Sequence, residues 1–203
     1  MVAVIDYGVG NLFSVEKALA AAGAEVRVTS DEALLENADR IVLPGVGAFG
    51  DCMKNLEATG LIPAIRRSID AGKPLLGICV GLQILFEGSE ESPGVSGLGI
   101  LPGMVRKIHA PGLKIPHMGW NSLAVKERAG LWEGLGDSPY VYFVHSYHAV
   151  PEDPAIITAT ASYGEELTAA VANGNILATQ FHPEKSGDVG LKILQNFVSQ
   201  SQS

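Results

Sequence analysis

Cysteine is scarce in this chain. Two in 203 residues do not build a disulfide scaffold, so both thiols are expected to be free. Positive charge is in deficit: 14 Lys and Arg stand against 22 Asp and Glu, a formal net charge of −8. That argues against nucleic acid or an anionic membrane as a partner. No apolar run is long enough to cross a bilayer, and the opening MVAVIDYG lacks the basic region of a signal peptide. Linkers, domain boundaries and internal repeats are missing too. The expectation is a soluble, cytoplasmic protein in which residues 1–203 form one domain.

What is present is a succession of short apolar runs alternating with helical patterns. VAVID (2–6), AEVRV (24–28), RIVLPG (40–45) and PLLGIC (74–79) read as strands. Helical stretches fall between them at Leu12–Ala22, 31–37, 52–59 and 61–71, and VGLQILFE (80–87) follows as another helix. Residues 88–103 read mostly as loop. Later β-like runs are MVRKI (104–108), YVYFVHSY (140–147), AIITATA (155–161), LTAAVA (167–172) and NILATQF (175–181), with a hairpin signal at VANGN (171–175) and a last amphipathic helix at 187–200. Residues 110–135 resist assignment. The predicted fold is α/β: a single domain with a central, mostly parallel open sheet, an antiparallel extension and flanking helices.

Cys79 lies in Gly77-Ile78-Cys79-Val80-Gly81, where a strand turns straight into a helix. Such an elbow strains the nucleophile's backbone and projects its side chain from the carboxyl edge of the sheet. The helix N-terminus favours thiolate, and the Val80 N–H would point toward an oxyanion. A buried, inert thiol is the competing reading of this pentapeptide; for Cys52, core packing is the better one. A thiolate needs a base, and QFHPEKSG (180–187) offers His182, with Glu184 two residues on to hold its other ring nitrogen. In LPGVGAFGD (43–51), N–H groups around Val46 and Gly47 are placed to complete an oxyanion hole; a plain turn or an anion-binding nest reads equally from the glycines. GVGN (8–11) lacks the third glycine of a dinucleotide turn, and no Gly-Lys-Ser/Thr ends a phosphate loop.

These motifs together carry a resemblance. G-I-C-x-G-x-Q at 77–83 with QFHPEKSG at 180–187 resembles the class I, triad-type glutamine amidotransferases. DYGVGNLFS (6–14), LPGVGAFGDCM (43–53), PHMGWN (116–121) and YFVHSYH (142–148) are similar to the glutaminase subunit of one two-protein synthase in that family, and these blocks cover almost the whole chain. The resemblance implies Cys79 as nucleophile on L-glutamine, His182 as base and acid, and Glu184 as the group orienting the histidine. It implies an oxyanion hole at Val80, Val46 and Gly47. Gly47 and Gln83 would lie beside the bound glutamine, with Tyr142, His145, Ser146 and Tyr147 closing the pocket. The partner it implies is a (β/α)₈-barrel cyclase, held as a heterodimer, that receives ammonia through a channel and on which glutaminase activity depends. His117, Met118, Trp120 and Asn121 would lie at that interface, although Met118 and Trp120 alone read as one packed face of a strand. No cofactor and no metal is expected. An amidotransferase for another acceptor, and a silent scaffold without catalysis, are the alternatives; the blocks at 116–121 and 142–148 argue against the first and the intact Cys–His–Glu set against the second.

Overall fold

The computed structural model describes residues 1–200. Its first half runs β1 (Val2–Ile5), α1 (Leu12–Ala21), β2 (Val26–Thr29), α2 (Glu32–Asn37), β3 (Arg40–Leu43), α3 (Phe49–Thr59), α4 (Ile62–Asp70), β4 (Leu75–Ile78) and α5 (Val80–Gln83). The second half is mostly β: β5 (Gly88–Ser89), β6 (Gly103–Lys107), β7 (His117–Ser122), β8 (Ala124–Val125), β9 (Tyr140–His145), β10 (Tyr147–Pro151), β11 (Ile157–Tyr163), β12 (Glu165–Asn173) and β13 (Ile176–Thr179). The helix α6 (Gly187–Ser199) follows.

Eight strands form the main sheet in the order β2-β1-β3-β4-β13-β12-β11-β8. The five from β2 to β13 are parallel, and those beyond β13 are antiparallel. Every residue of β1, β4 and β13 is buried, which is why these runs show no alternation in sequence. The path from β1 to β2 runs one way along the sheet, and the paths from β2 to β3 and β3 to β4 run the other. Right-handed crossovers therefore put α1 on one face and α2, α3 and α4 on the opposite one. The packing agrees: α1 lies against α6, and α4 against α2 and α3. Asn11 caps α1 and Asp31 caps α2 through their side-chain oxygens. The N-terminus of α3 has no cap of its own; Glu91 and Ser92 accept from the N–H groups of Phe49 and Gly50, both at 2.9 Å.

Two smaller sheets, β10-β6-β5 and β7-β9, sit beside the main one. They correct two expectations. The run 140–147 is two strands, because the chain leaves the β7 partnership at Ser146 and joins β6. The helix expected over 80–87 stops at Gln83. The carbonyls of Ile84, Leu85, Phe86 and Glu87 accept instead from N–H groups in the 97–101 loop. Residues 110–135 supply β7, β8 and a 3-10 turn at Gly130–Trp132. Residues 154–156 are likewise a 3-10 turn that precedes β11.

Candidate active site

Because β1, β3, β4 and β13 are parallel, the loops that leave their carboxyl ends converge on one edge of the sheet. There they border a pocket of about 780 Å³, with Gly10, Val46, Cys79, Gln83, His145 and His182 in its wall. Ser146, Tyr147, Gly47 and Val80 line it as well.

Cys79 sits at φ 55°, ψ −113°, the one non-glycine residue at positive φ among the described residues. An L-residue is held there only by its surroundings. Its N–H donates to the Thr179 carbonyl of β13 at 2.8 Å. Gly81 lets α5 close onto the neighbouring strand, since a Cβ at that position would lie 1.9 Å from the Leu43 carbonyl oxygen. The parallel β4–β13 pairing matches Ile78 with Thr179, so the residues just beyond both strands meet.

Cys79 follows β4 directly, and His182, three residues past β13, joins it in the pocket wall. The His182 N–H donates to the Tyr142 carbonyl at 3.0 Å, and Ser186 Oγ donates to the His182 carbonyl at 2.6 Å. The ring is thereby held from its backbone. Nδ1 donates to Glu184 Oε1 at 2.7 Å, and both side chains are buried. Nε2 and Glu184 Oε2 have no hydrogen-bond partner. Burial works against protonating His182, yet the Cys79 sulfur and the Glu184 carboxylate outweigh it and lift the imidazole to about 9. A cysteine with a basic, oriented imidazole in one pocket can undertake nucleophilic chemistry on an acyl group.

The oxyanion side differs from expectation. The Val80 N–H does not point into the pocket free: it donates to the Gly45 carbonyl at 3.2 Å. The carbonyls on either side are held too, Pro44 by the Tyr7 hydroxyl at 2.5 Å and Val46 by the Cys52 thiol at 3.3 Å. Cys52 is fully buried, and burial pushes its thiol up to about 11. Gly47 stands at φ +86° with open space where a Cβ would be.

Gln83 lines the pocket and donates from Nε2 to the Tyr147 carbonyl and to Gln180 Oε1, both at 3.1 Å. His145 lines it as well, but both ring nitrogens are occupied, Nδ1 by the Tyr147 carbonyl and Nε2 by His117. Its ring therefore has no nitrogen to offer a ligand. Tyr142 is not in the pocket wall; its ring meets Trp120 edge-on and lies under Lys185 Nζ. The four residues expected at an interface divide by strand alternation. Met118 and Trp120 are 62% and 57% exposed, whereas His117 is buried and Asn121 turns inward to bond it. Core packing of Met118 and Trp120 is thus overturned.

Sequence reasoning missed Asn11, Glu91, Pro116 and Lys185, all of which line the pocket. It also gave no role to Gln180, whose Nε2 approaches Cys79 Sγ at 3.8 Å. A polar Gln closing the apolar run NILATQF, two residues before the histidine, was the available signal, and the structure buries it fully.

Residues 3–201 match the family model for glutamine amidotransferase class-I. The imidazole glycerol phosphate synthase subunit HisH of Syntrophotalea carbinolica is 51% identical over 205 residues, covering 97% of this chain and 98% of that protein. The subunit of the same name from Methanothermobacter thermautotrophicus is 54% identical, covering 98% of each. Among solved structures, PurLQS from Thermotoga maritima has a TM-score of 0.76 at 24% identity, over 97% of this chain and 96% of that one; this is a likeness of fold.

Proposed function

Since the chain belongs to the class-I glutamine amidotransferases, we propose that it is the glutaminase subunit of an imidazole glycerol phosphate synthase, acting in histidine biosynthesis. The observation that carries the chemistry is Cys79 at φ 55° on the elbow after β4, in one pocket with the buried His182–Glu184 pair. His182 Nε2 takes the thiol proton and, with the imidazole lifted to about 9, holds it while Cys79 Sγ attacks the side-chain amide carbon of L-glutamine. The imidazolium gives that proton to the amide nitrogen, the C–N bond breaks and ammonia leaves. His182 then takes a proton from water, hydroxide adds to the thioester, and glutamate departs with the thiol restored. Glu184 accepts from Nδ1–H and supports the imidazolium.

The tetrahedral intermediates need N–H donors, and Val80 is taken by the Gly45 carbonyl. Rotation of the Gly45–Val46 peptide would withdraw that carbonyl and present the Val46 N–H in its place. The rotation changes ψ of Gly45 and φ of Val46, and Gly47 next to them can take up the compensating turn. In this reading the resting chain is closed, and a partner subunit with its ligand bound opens it, as coupling between two sites. The partner is a (β/α)₈-barrel cyclase in a cytoplasmic heterodimer. It uses the ammonia on a phosphoribulosyl formimino aminoimidazole carboxamide nucleotide, giving imidazole glycerol phosphate and aminoimidazole carboxamide ribonucleotide. Met118 and Trp120, with Tyr140 on the adjacent strand, supply an exposed apolar face for it.

The test is glutamate release from L-glutamine by the chain alone, then with the cyclase and its nucleotide. A large ligand-dependent rise that Cys79→Ala abolishes is expected. No rise in a folded complex would defeat the pathway; full activity from the isolated chain would keep the glutaminase and remove the gating.

A further inference from the structure

A continuous set of hydrogen bonds leads from the inner side of β7 to Cys79. Asn121 Nδ2 lies 3.1 Å from His117 Nε2, and His117 Nδ1 lies 2.8 Å from His145 Nε2. His145 Nδ1 is 2.9 Å from the Tyr147 carbonyl. The same carbonyl accepts from Gln83 Nε2, which also reaches Gln180 Oε1, and Gln180 Nε2 approaches Cys79 Sγ.

The proton positions follow from the two ends. A carbonyl only accepts, so His145 Nδ1 carries a hydrogen. Burial pushes His145 down to about 3, so the ring is neutral and its Nε2 is an acceptor. His117 Nδ1 must then donate, and His117, pushed to about 4 by burial, has an acceptor at Nε2. At the far end Asn121 is oriented independently: its Oδ1 accepts from the Ser122 N–H at 2.8 Å and its Nδ2 donates to the Ser162 carbonyl at 3.0 Å. Its amide nitrogen therefore faces His117, as the assignment from the other end requires. Both histidines are held in the Nδ1–H form. His117 is further fixed between the rings of Tyr163 and Phe143, with centroids 4.3 and 4.6 Å away.

We propose that His117 and His145 are positioning residues, a neutral strut that sets the Tyr147 carbonyl and, through Gln83 and Gln180, the thiol of Cys79, and that ties this thiol to the strand bearing Met118 and Trp120. The kinetic part of this proposal rests on the glutaminase reading. The strut carries no charge: a second hydrogen on His145 would set two donors against each other at the His117–His145 contact, and one on His117 would do so at the Asn121–His117 contact. The amide of Gln180 aims a donor at the sulfur and so fixes where it lies. Displacement of β7 therefore reaches the nucleophile without crossing the pocket.

The experiment uses the complete complex and has two arms. In the first, histidine is labelled with ¹⁵N and two-bond ¹H–¹⁵N correlations report the tautomers. Nδ1–H is expected for both residues, unchanged between about pH 8 and 6; Nε2–H on either one overturns the strut. In the second, His117→Asn keeps a donor where Nδ1 was, while His117→Leu removes it. His117→Leu is expected to lower kcat roughly tenfold or more with KM for glutamine nearly unchanged, and His117→Asn to recover most of it. Equal loss in both folded variants would reduce the role to packing and overturn the proposal, as would no loss in either. Should the complex release no glutamate at all, the glutaminase reading fails, whereas the tautomers still decide the strut.

Discussion

His182 Nδ1 donates to Glu184 Oε1 at 2.7 Å, inside a site where neither side chain has more than 3% of its surface exposed. That bond leaves Nε2 as the only ring nitrogen able to receive a proton from the thiol. Glu184→Gln preserves the shape but removes the charge that supports the imidazolium. A fall in kcat of about 10²-fold or more is expected, with KM for glutamine little changed. Steady-state kinetics of the complex measure it; a kcat within a factor of a few would remove Glu184 from the chemistry.

Gly81→Ala places a methyl group 1.9 Å from the Leu43 carbonyl oxygen. Backbone cannot step aside as a side chain does. We expect a loss of about 1–3 kcal/mol or more in urea unfolding, with activity lost alongside. Gly8→Ala is the control: its φ is +80° but no atom lies within 4 Å of the added carbon, so only the left-handed strain of about 1–2 kcal/mol remains. Equal costs at the two positions would contradict the close approach of α5 to β3.

Gly47→Ala also meets no atom within 4 Å, so it tests backbone freedom rather than space. The expected result is a modest loss of stability, about 1–2 kcal/mol, with a several-fold fall in partner-stimulated glutaminase and unchanged affinity for the cyclase. Stimulated activity that survives in full would show that the 45–47 segment need not turn.

Acid should destabilise the chain through its buried histidines. His117 and His145 are held at about 4 and 3, below the ordinary 6.5, so the unfolded chain binds more protons as pH falls under 6.5. Their contribution is complete above pH 6.5 and is lost toward the folded values. For His145 alone the loss by pH 4 is on the order of 3 kcal/mol. His182 has the opposite sign: raised to about 9, its contribution is present below pH 6.5 and disappears as pH climbs through 9. Urea midpoints across pH 4–9 would show a dome, and a folded His145→Gln variant should have the shallower acid limb. An identical limb would mean that His145 is not held neutral.

Trp120→Ala removes the ring from an exposed face. Cyclase affinity should fall about 30-fold, the effect of a binding hot spot, while the urea midpoint of the isolated chain stays put. Calorimetric titration decides it, and unchanged affinity would move the interface elsewhere.

Much of this was legible in the sequence for local reasons. The parallel strands announce themselves because both faces are buried; the elbow is legible only beside QFHPEKSG, since G-x-C-x-G alone reads equally as a buried thiol. His182 and Glu184 are two residues apart and share one turn. What stayed hidden depends on contacts between distant segments. The end of α5 is set by the 97–101 loop, which takes the carbonyls a longer helix would need. The break at Ser146 follows from β9 and β10 having different partners. Asn11 joins the site because the β1 strand end converges on it, and Glu91 because the loop after β5 folds over it; spacing along the chain carries no trace of either.

The strand order has a consequence for the chain during its synthesis. β4 ends at Ile78, but the strand that seats His182 beside Cys79 begins only at Ile176 and slots between β4 and β12. A nascent chain that has left the ribosome as far as β12 already carries the nucleophile, yet has neither its base nor the neighbour that closes the edge of β4. At translation rates of about 5–20 residues per second, the interval between the emergence of Cys79 and that of His182 lasts several seconds or more. Throughout it the half-made protein lacks its base, and the nucleophile gains that base in the same step that seals the sheet.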